Sequence, residues 1–174
     1  MDYRILIIGS SCAGKTTLGA QLGRELNIKH IDLDELNWLP GWEEVGKQAM
    51  FAKVQQVVDE NKSWVITGGY SHTQVITAPV ATHIIFLDLP LYVLVSRLIK
   101  RTFLRVADKK PVCNGNYETW GHVFSKGSLI LWQLKNYKKK KRDYRVLKER
   151  YENPQNKFLK FSRVRDVQTV IDAL

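Results

Sequence analysis

Two cysteines, Cys12 and Cys113, are all that the 174 residues contain, and they stand far apart. A disulfide framework is therefore not expected to organise the fold. Long apolar runs are lacking too: no stretch reaches the roughly 18 residues that cross a bilayer. The opening MDYRILIIGS lacks the basic start, long apolar stretch and cleavage site of a secretory signal. A cytoplasmic location with no membrane partner is expected. Acidic residues are few beside basic ones, 17 against 27, for a net charge of +10. Such a surplus draws anions, whether nucleotides, phosphorylated metabolites or nucleic acid, and does not choose among them. No internal repeat is visible, and no helix-turn-helix, zinc-finger or RNP pattern marks a nucleic-acid reader. Cys113 and His122 are too few to hold zinc.

What the chain does have suits a single domain with a sizeable core. Apolar runs over Tyr3–Ile8, Lys29–Ile31, Trp64–Thr67, His83–Leu87 and Lys157–Phe161 read as five strands. Helical patterns separate them over Lys15–Leu26, Glu43–Glu60, Leu91–Val106 and Ser125–Tyr151, and a last helix is expected over Val164–Leu174. Val45, Ala49, Ala52 and Gln56 fall near one face of the second. Ser71-His-Thr-Gln74 has the form of a capping box opening a further short helix. Strands alternating with helices imply a parallel sheet covered on both faces, an α/β fold. Ala107 to about His122 is polar with Gly and Pro, and is the best candidate for a mobile insert.

Gly9-Ser-Ser-Cys-Ala-Gly14-Lys15-Thr16 matches G-x-x-x-x-G-K-[ST], the Walker A pattern, between a strand and a helix. Wrapping phosphates with backbone N–H groups needs close approach, which Gly9 and Gly14 permit. The helix N-terminus is aimed at the anion. The loop Gly9, Ser10, Ser11, Cys12, Ala13, Gly14, Lys15, Thr16 and Thr17 is thus the expected ATP site. Lys15 supplies a mobile charge to the β- and γ-phosphates, and the Thr16 hydroxyl is a Mg²⁺ ligand. N-K-x-D, expected of a GTPase, is missing: Asn61-Lys-Ser-Trp64 and Asn156-Lys-Phe-Leu159 both lack the aspartate. The length suits a small-molecule kinase.

GSSCAGKTT, HIDLDELNWLPGWEE, WVITGGYS and LDLPLYVLVSRLIKR follow one another in that order. Together they resemble the nucleoside-monophosphate-kinase-like and shikimate-kinase-like P-loop kinases over nearly the whole chain. Within these the chain looks most like small bacterial topology-modulation proteins. The resemblance implies a three-layer α/β/α sandwich with a five-stranded parallel sheet, order 2-3-1-4-5, and a lid-like insert at about 107–124. It implies an ATP- and Mg²⁺-dependent phosphotransferase acting on a small-molecule acceptor, a nucleoside or nucleotide among the candidates. The alternative is a nucleotide-binding regulator associated with DNA.

Asp32 and Asp34 sit after the second strand, beyond which ligands bind in open parallel sheets. Alternation on an extended segment would put both carboxylates on one side. The resemblance implies Asp32 on the metal side and Asp34 on the substrate side; a helix cap or solvated turn is the alternative for either. Trp38 and Trp42 flank a Pro-Gly turn and either stack on a planar acceptor or pack under the following helix. Gly68 and Gly69 permit backbone close to substrate, with Tyr70 beside them. Thr67 stands where related nucleotide kinases usually carry Asp, which shifts metal binding onto Asp32 and Thr16. Asp88, in Asp-Leu-Pro90, reads as structural, with a Walker-B carboxylate as the alternative. Leu91, Leu94, Leu98, Arg101 and Arg105 share one helical face, apolar first and then cationic. Arg97 and Arg101 match an R-x-x-x-R that, in the resembled kinases, reaches the adenine side and the phosphates. Ile130, Leu134, Tyr137, Tyr144, Leu147 and Tyr151 form the expected core face of the long helix. Arg142, with Arg145, lies where such kinases bring arginines onto the transferring phosphate. Lys138–Lys141 reads as a solvated face, with phosphate steering or nucleic-acid contact as the alternatives.

Overall fold

The apolar runs alternate between two destinations. In β1 (Arg4–Gly9), Leu6 and Ile8 enter one core, while Ile5 and Ile7 enter another. A strand buried on both faces must be central in a covered sheet. The computed structural model, which describes residues 2–121, 128–163 and 167–174, has this arrangement. β1 is followed by α1 (Lys15–Glu25), β2 (Lys29–Asp32), α2 (Leu33–Asn37), β3 (Trp38–Leu39), β4 (Glu43–Glu44), α3 (Lys47–Glu60) and β5 (Trp64–Thr67). Then come α4 (Gln74–Val80), β6 (His83–Leu87), α5 (Leu91–Ala107), α6 (Leu129–Tyr151), β7 (Lys157–Phe161) and α7 (Gln168–Ile171). The five long strands form one parallel sheet in the order β2-β5-β1-β6-β7, as the resemblance implied.

Helices cover both faces. Met50 and Val54 of α3, Ile76 and Ala78 of α4, and Tyr144 and Leu147 of α6 pack with Leu6, Ile66 and Phe86. Leu18 and Leu22 of α1, Leu94 of α5 and Val170 of α7 pack with Ile5, Ile7 and Ile85. Phe86 stacks on Tyr144 with ring centroids 4.1 Å apart. Among the described residues, no helix is long and apolar enough to cross a membrane.

Several expectations are corrected. Glu43–Glu60 is not one helix: Glu43–Glu44 pairs antiparallel with Trp38–Leu39, and the helix starts at Lys47, burying Met50 and Val54. Gly46 with φ 86° separates the two, a left-handed residue that glycine accepts. The capping box does not form. The N-cap of α4 is Thr73, without a side-chain cap, and its hydroxyl bonds Tyr70 O at 2.9 Å instead. On α6 the inward row starts at Gln133, which is buried, and Leu134 is exposed. Ser128 caps that helix through Leu131 N; the expected start at Ser125 lies outside the described residues, as do His122 and Val164.

Asp88 closes the carboxyl end of β6. Its N–H donates to Phe161 O at 2.9 Å, and its carboxylate meets Lys141 at 2.9 Å and Lys160 at 2.7 Å. Burial alone would raise the Asp88 carboxyl, but the hydrogen-bonded ammonium groups of Lys160 and Lys141 outweigh it and hold it below its ordinary value. The pair of lysines ties β7 and α6 to β6.

Gly19 gives a test of how tightly α1 seats on the sheet. A Cβ there would stand 2.6 Å from His30 Nε2 and also strike Thr67 Cγ2. Alanine normally gains about 1 kcal/mol over glycine inside a helix. Overpacking against backbone-anchored neighbours costs about 1–3 kcal/mol. Gly19→Ala is therefore expected to lose about 1 kcal/mol net, lowering the melting temperature by about 2–4 °C. A raised melting temperature would show that the helix floats free of β2 and β5.

Candidate active site

The carboxyl ends of β1, β5, β2 and β6 gather at one edge of the sheet, and the chain reverses its direction of strand addition there. That is where an open parallel sheet offers a crevice. Gly9 ends β1 with φ 151°, and a Cβ on it would sit 2.9 Å from Leu87 O of the adjacent strand. Gly9 is thus required by sheet packing as well as by the loop. Cys12 (φ 60°) and Gly14 (φ 96°) turn the loop through left-handed backbone, and Ala13 N closes onto Ser10 O at 3.2 Å. Lys15 opens α1, and its Nζ donates to Ser10 O at 2.9 Å. Ser10 and Ala13 are buried, while Ser11, Thr16 and Thr17 rim the loop. Burial lowers the Lys15 ammonium below the ordinary lysine range, against the carboxylates of Asp34 and Asp32, which raise it.

Asp32 does two things at once. Its Oδ2 accepts from Thr16 Oγ1 at 2.6 Å, and its Oδ1 accepts from Asp34 N at 3.0 Å. The second bond caps α2, so Leu33–Asn37 is a helical turn and not the extended segment expected. Asp34 reaches the cleft from the first turn of that helix, where Tyr70 OH donates to its Oδ1 at 2.7 Å. Burial first, then the charge and hydrogen bond of Asp34, raise the Tyr70 phenol, which keeps it a proton donor. Thr16, Asp32, Asp34 and Tyr70 therefore form one continuous chain of hydrogen bonds.

The Thr67 side chain takes no part in it. It is fully buried, with Oγ1 3.1 Å from His30 Nε2. Gly68, beyond it, has φ 153°, and a Cβ there would stand 2.6 Å from Leu33 Cβ. Gly69 leaves its open side to Lys140: an added Cβ would be 3.0 Å from Lys140 Nζ, which donates to Gly69 O at 2.7 Å. Burial, then the charge of Lys15, lower the Lys140 ammonium.

Sequence reasoning places Lys140 on a solvated face and misses it. The signal is present, since Tyr137, Lys140, Tyr144, Leu147 and Tyr151 recur at helical spacing. Arg101 also belongs to the cleft, where its charge further depresses Lys15. Its Nε is buried and has no hydrogen-bond partner among the described residues. Arg101 and Arg105 face Glu118 at 3.9 and 2.7 Å. Arg97 and Arg142 are not brought in; both are exposed on the outer sides of α5 and α6. Trp38 and Trp42 pack edge to face at 5.6 Å, and Trp42 Nε1 donates to Tyr117 O at 3.1 Å. The Trp42 indole joins the β3–β4 hairpin to the insert, and the Trp38 ring packs on it.

The architecture that holds these groups has known counterparts. A shikimate kinase from Acinetobacter baumannii, solved with shikimate, superposes with a TM-score of 0.65 at 14% identity, over 99% of this chain and 93% of that one. Its fold is that of a shikimate-kinase-type P-loop NTPase. A shikimate kinase from Bacteroides thetaiotaomicron gives 0.61 at 20% identity, over 98% and 97%. A gluconokinase from Sinorhizobium meliloti 1021 gives 0.53 at 16%, over 98% and 87%. In sequence, the chain is 25% identical over 122 residues to the uncharacterized protein YqaC of Bacillus subtilis, covering 68% of this chain and 67% of that protein. No protein-family model matches.

The Tyr70–Asp34 bond is testable without any ligand. A hydrogen bond to a carboxylate contributes about 1.5–3 kcal/mol, less where water can replace the donor. Tyr70 and Asp34 are half-buried. Tyr70→Phe is expected to lose about 1 kcal/mol in urea unfolding with an unchanged slope. Equal stability of the two proteins would mean that the bond is not made in solution.

Proposed function

We propose that the chain is an ATP- and Mg²⁺-dependent kinase of a small hydroxyl- or phosphate-bearing acceptor. The observation that carries this reading is the hydrogen-bond chain Thr16–Asp32–Asp34–Tyr70, which joins the phosphate loop to the acceptor side. On this reading the Gly9–Thr17 backbone takes the ATP phosphates, and Lys15 leaves Ser10 O to meet them. Thr16 and Asp32 offer hard oxygen donors side by side, the kind Mg²⁺ takes, and would hold it. When bound, the ion neutralises charge on the phosphates. Asp34 keeps Oδ1 on Tyr70, so Oδ2 is the atom that accepts the acceptor's hydroxyl proton. Arg101, with its unpaired Nε, and Lys140 supply positive charge where the transferring group passes. Gly68 and Gly69 line the acceptor side. Trp38 and Trp42 shape it as a wall, and Arg97 reaches only the outer, adenine side. Lys140 stands in for the role expected of Arg142, because it faces the loop and Arg142 faces solvent. A nucleoside or nucleotide acceptor and kinship with the topology-modulation proteins are part of this proposal.

A DNA-associated regulator is the second reading. α6 carries nine of the 27 basic residues, and Lys135, Lys138, Lys139, Arg142 and Arg145 are exposed on it. Salt separates the two: binding to duplex DNA that survives physiological ionic strength favours the regulator, whereas loss by then is generic charge.

Lys15→Ala is expected to abolish ATP turnover, by at least about 100-fold, with circular dichroism unchanged. Undiminished turnover in that folded variant would end the kinase reading. A pH dependence accompanies it. The charged ammonium is the form that binds phosphate, and the buried lysines Lys15 and Lys140 release their protons below the ordinary 10.5. Mg·ATP affinity should therefore fall as pH rises through that lowered range, earlier than for an exposed lysine. Titration of a fluorescent ATP analogue between about pH 7 and 10 reads it directly.

A further inference from the structure

The insert is fastened to the hairpin side of the cleft. Asn114 Nδ2 donates to Glu35 O and to Trp38 O, both at 2.7 Å. Asn116, almost fully buried, donates to Leu39 O at 2.9 Å and accepts from Trp42 N at 2.8 Å. Trp42 Nε1 donates to Tyr117 O. Five hydrogen bonds thus join residues 35–42 to residues 114–117 across more than seventy positions of chain. The turn itself is stiff. Val112 and Asn116 exchange backbone bonds at 2.8 Å, and Cys113, Asn114 and Gly115 are consecutive left-handed residues. Asn116 Nδ2 also holds Cys113 O at 2.6 Å.

We propose that this turn is the fixed outer wall of the acceptor pocket, and that Cys113 is the wall residue that determines which acceptors reach Asp34. The inference rests on the kinase reading for what the pocket holds. A loop that merely flaps over nucleotide would fold onto the Gly9–Thr16 side. This one directs its hydrogen bonds to the segment that carries Asp34, so wall and base are positioned as one unit. Cys113 is half-buried among the charges of that base: burial, then the carboxylates of Asp34 and Asp32, push its thiol up to about 11. Tyr70, the group that holds Asp34, in turn senses Cys113. On this proposal a side chain larger than cysteine at this position narrows the approach to Asp34. Cys12, in the phosphate loop, provides an independent thiol on the nucleotide side.

The two cysteines make the test. The intact protein is alkylated with iodoacetamide at about pH 8, and the Cys12 and Cys113 peptides are followed separately by mass spectrometry, with guanidinium-unfolded protein as the reference rate. Cys113 is expected to react at least about tenfold more slowly than when unfolded. Mg·ADP should slow Cys12 by at least about fivefold and leave Cys113 within about twofold. Asn116→Ala should speed Cys113 at least about fivefold; Asn114→Ala serves if that variant does not fold. A native Cys113 as fast as the unfolded one overturns the proposal. So does equal protection of both thiols by Mg·ADP, or a Cys113 that stays slow in the variants. Failure of Mg·ADP to protect Cys12 strikes the nucleotide reading and not the wall. For any acceptor found in a panel of nucleosides, nucleotides and small alcohols, Cys113→Leu should raise KM at least about tenfold with Mg·ADP affinity unchanged. An unchanged KM removes the specificity role.

Discussion

The site depends on one carboxylate that makes two bonds in two directions. The two oxygens of Asp32 act separately, Oδ2 holding the Thr16 hydroxyl and Oδ1 capping the turn that carries Asp34. The first bond fixes β2 against the start of α1. The second converts the end of β2 into a helix and swings Asp34 toward Tyr70. From sequence, function and capping stand as alternatives for this residue. They are compatible because a carboxylate can accept at both ends.

Thr67 is buried, and the carboxylate that meets Thr16 is that of Asp32. An aspartate at position 67 would have to lie beside His30 and under Gly19, where the space is filled. An ionised carboxylate there would be desolvated with only an imidazole for a partner. A threonine hydroxyl needs one hydrogen bond and finds it on His30. Threonine at this position is therefore a packing solution. The carboxylate oxygens that act on Lys15 come from β2 and α2, from Asp32 and Asp34.

Much of the fold is legible in the sequence because burial writes itself in period two. Ile5 and Ile7 against Leu6 and Ile8 already separate the two cores, and strand order follows the resemblance. The turn between β1 and α1 is legible from the spacing of its glycines. Lys140 is not, because composition masks geometry: inside KKKKR, one lysine in four fills the gap between Tyr137 and Tyr144 in an inward row. Lys141 is also absorbed, by Asp88, so half of an apparently solvated run is engaged. The hairpin at Trp38–Glu44 escapes notice because two-residue strands carry no periodicity. The insert's fastening is invisible for a different reason. It is made by two asparagine side chains and the Trp42 indole meeting backbone groups, and nothing in a sequence marks which backbone groups are near.

That fastening changes how the cleft should be divided. The arginine row of α5 ends at Glu118, one residue past the fastened turn. Glu118 is mostly buried, and a buried carboxylate needs its cations. Arg105 satisfies it at 2.7 Å, while Arg101 stands off at 3.9 Å with Nε unpaired. The short bond anchors the far end of the insert to α5; the long one leaves Arg101 available to an anion. A single carboxylate thus holds one arginine closely and the next one loosely. The hairpin, the insert and α5 are joined in series through side chains. Trp42 and Arg101 thus stand at the two ends of one series of contacts, through Tyr117 O and the neighbouring Glu118 carboxylate.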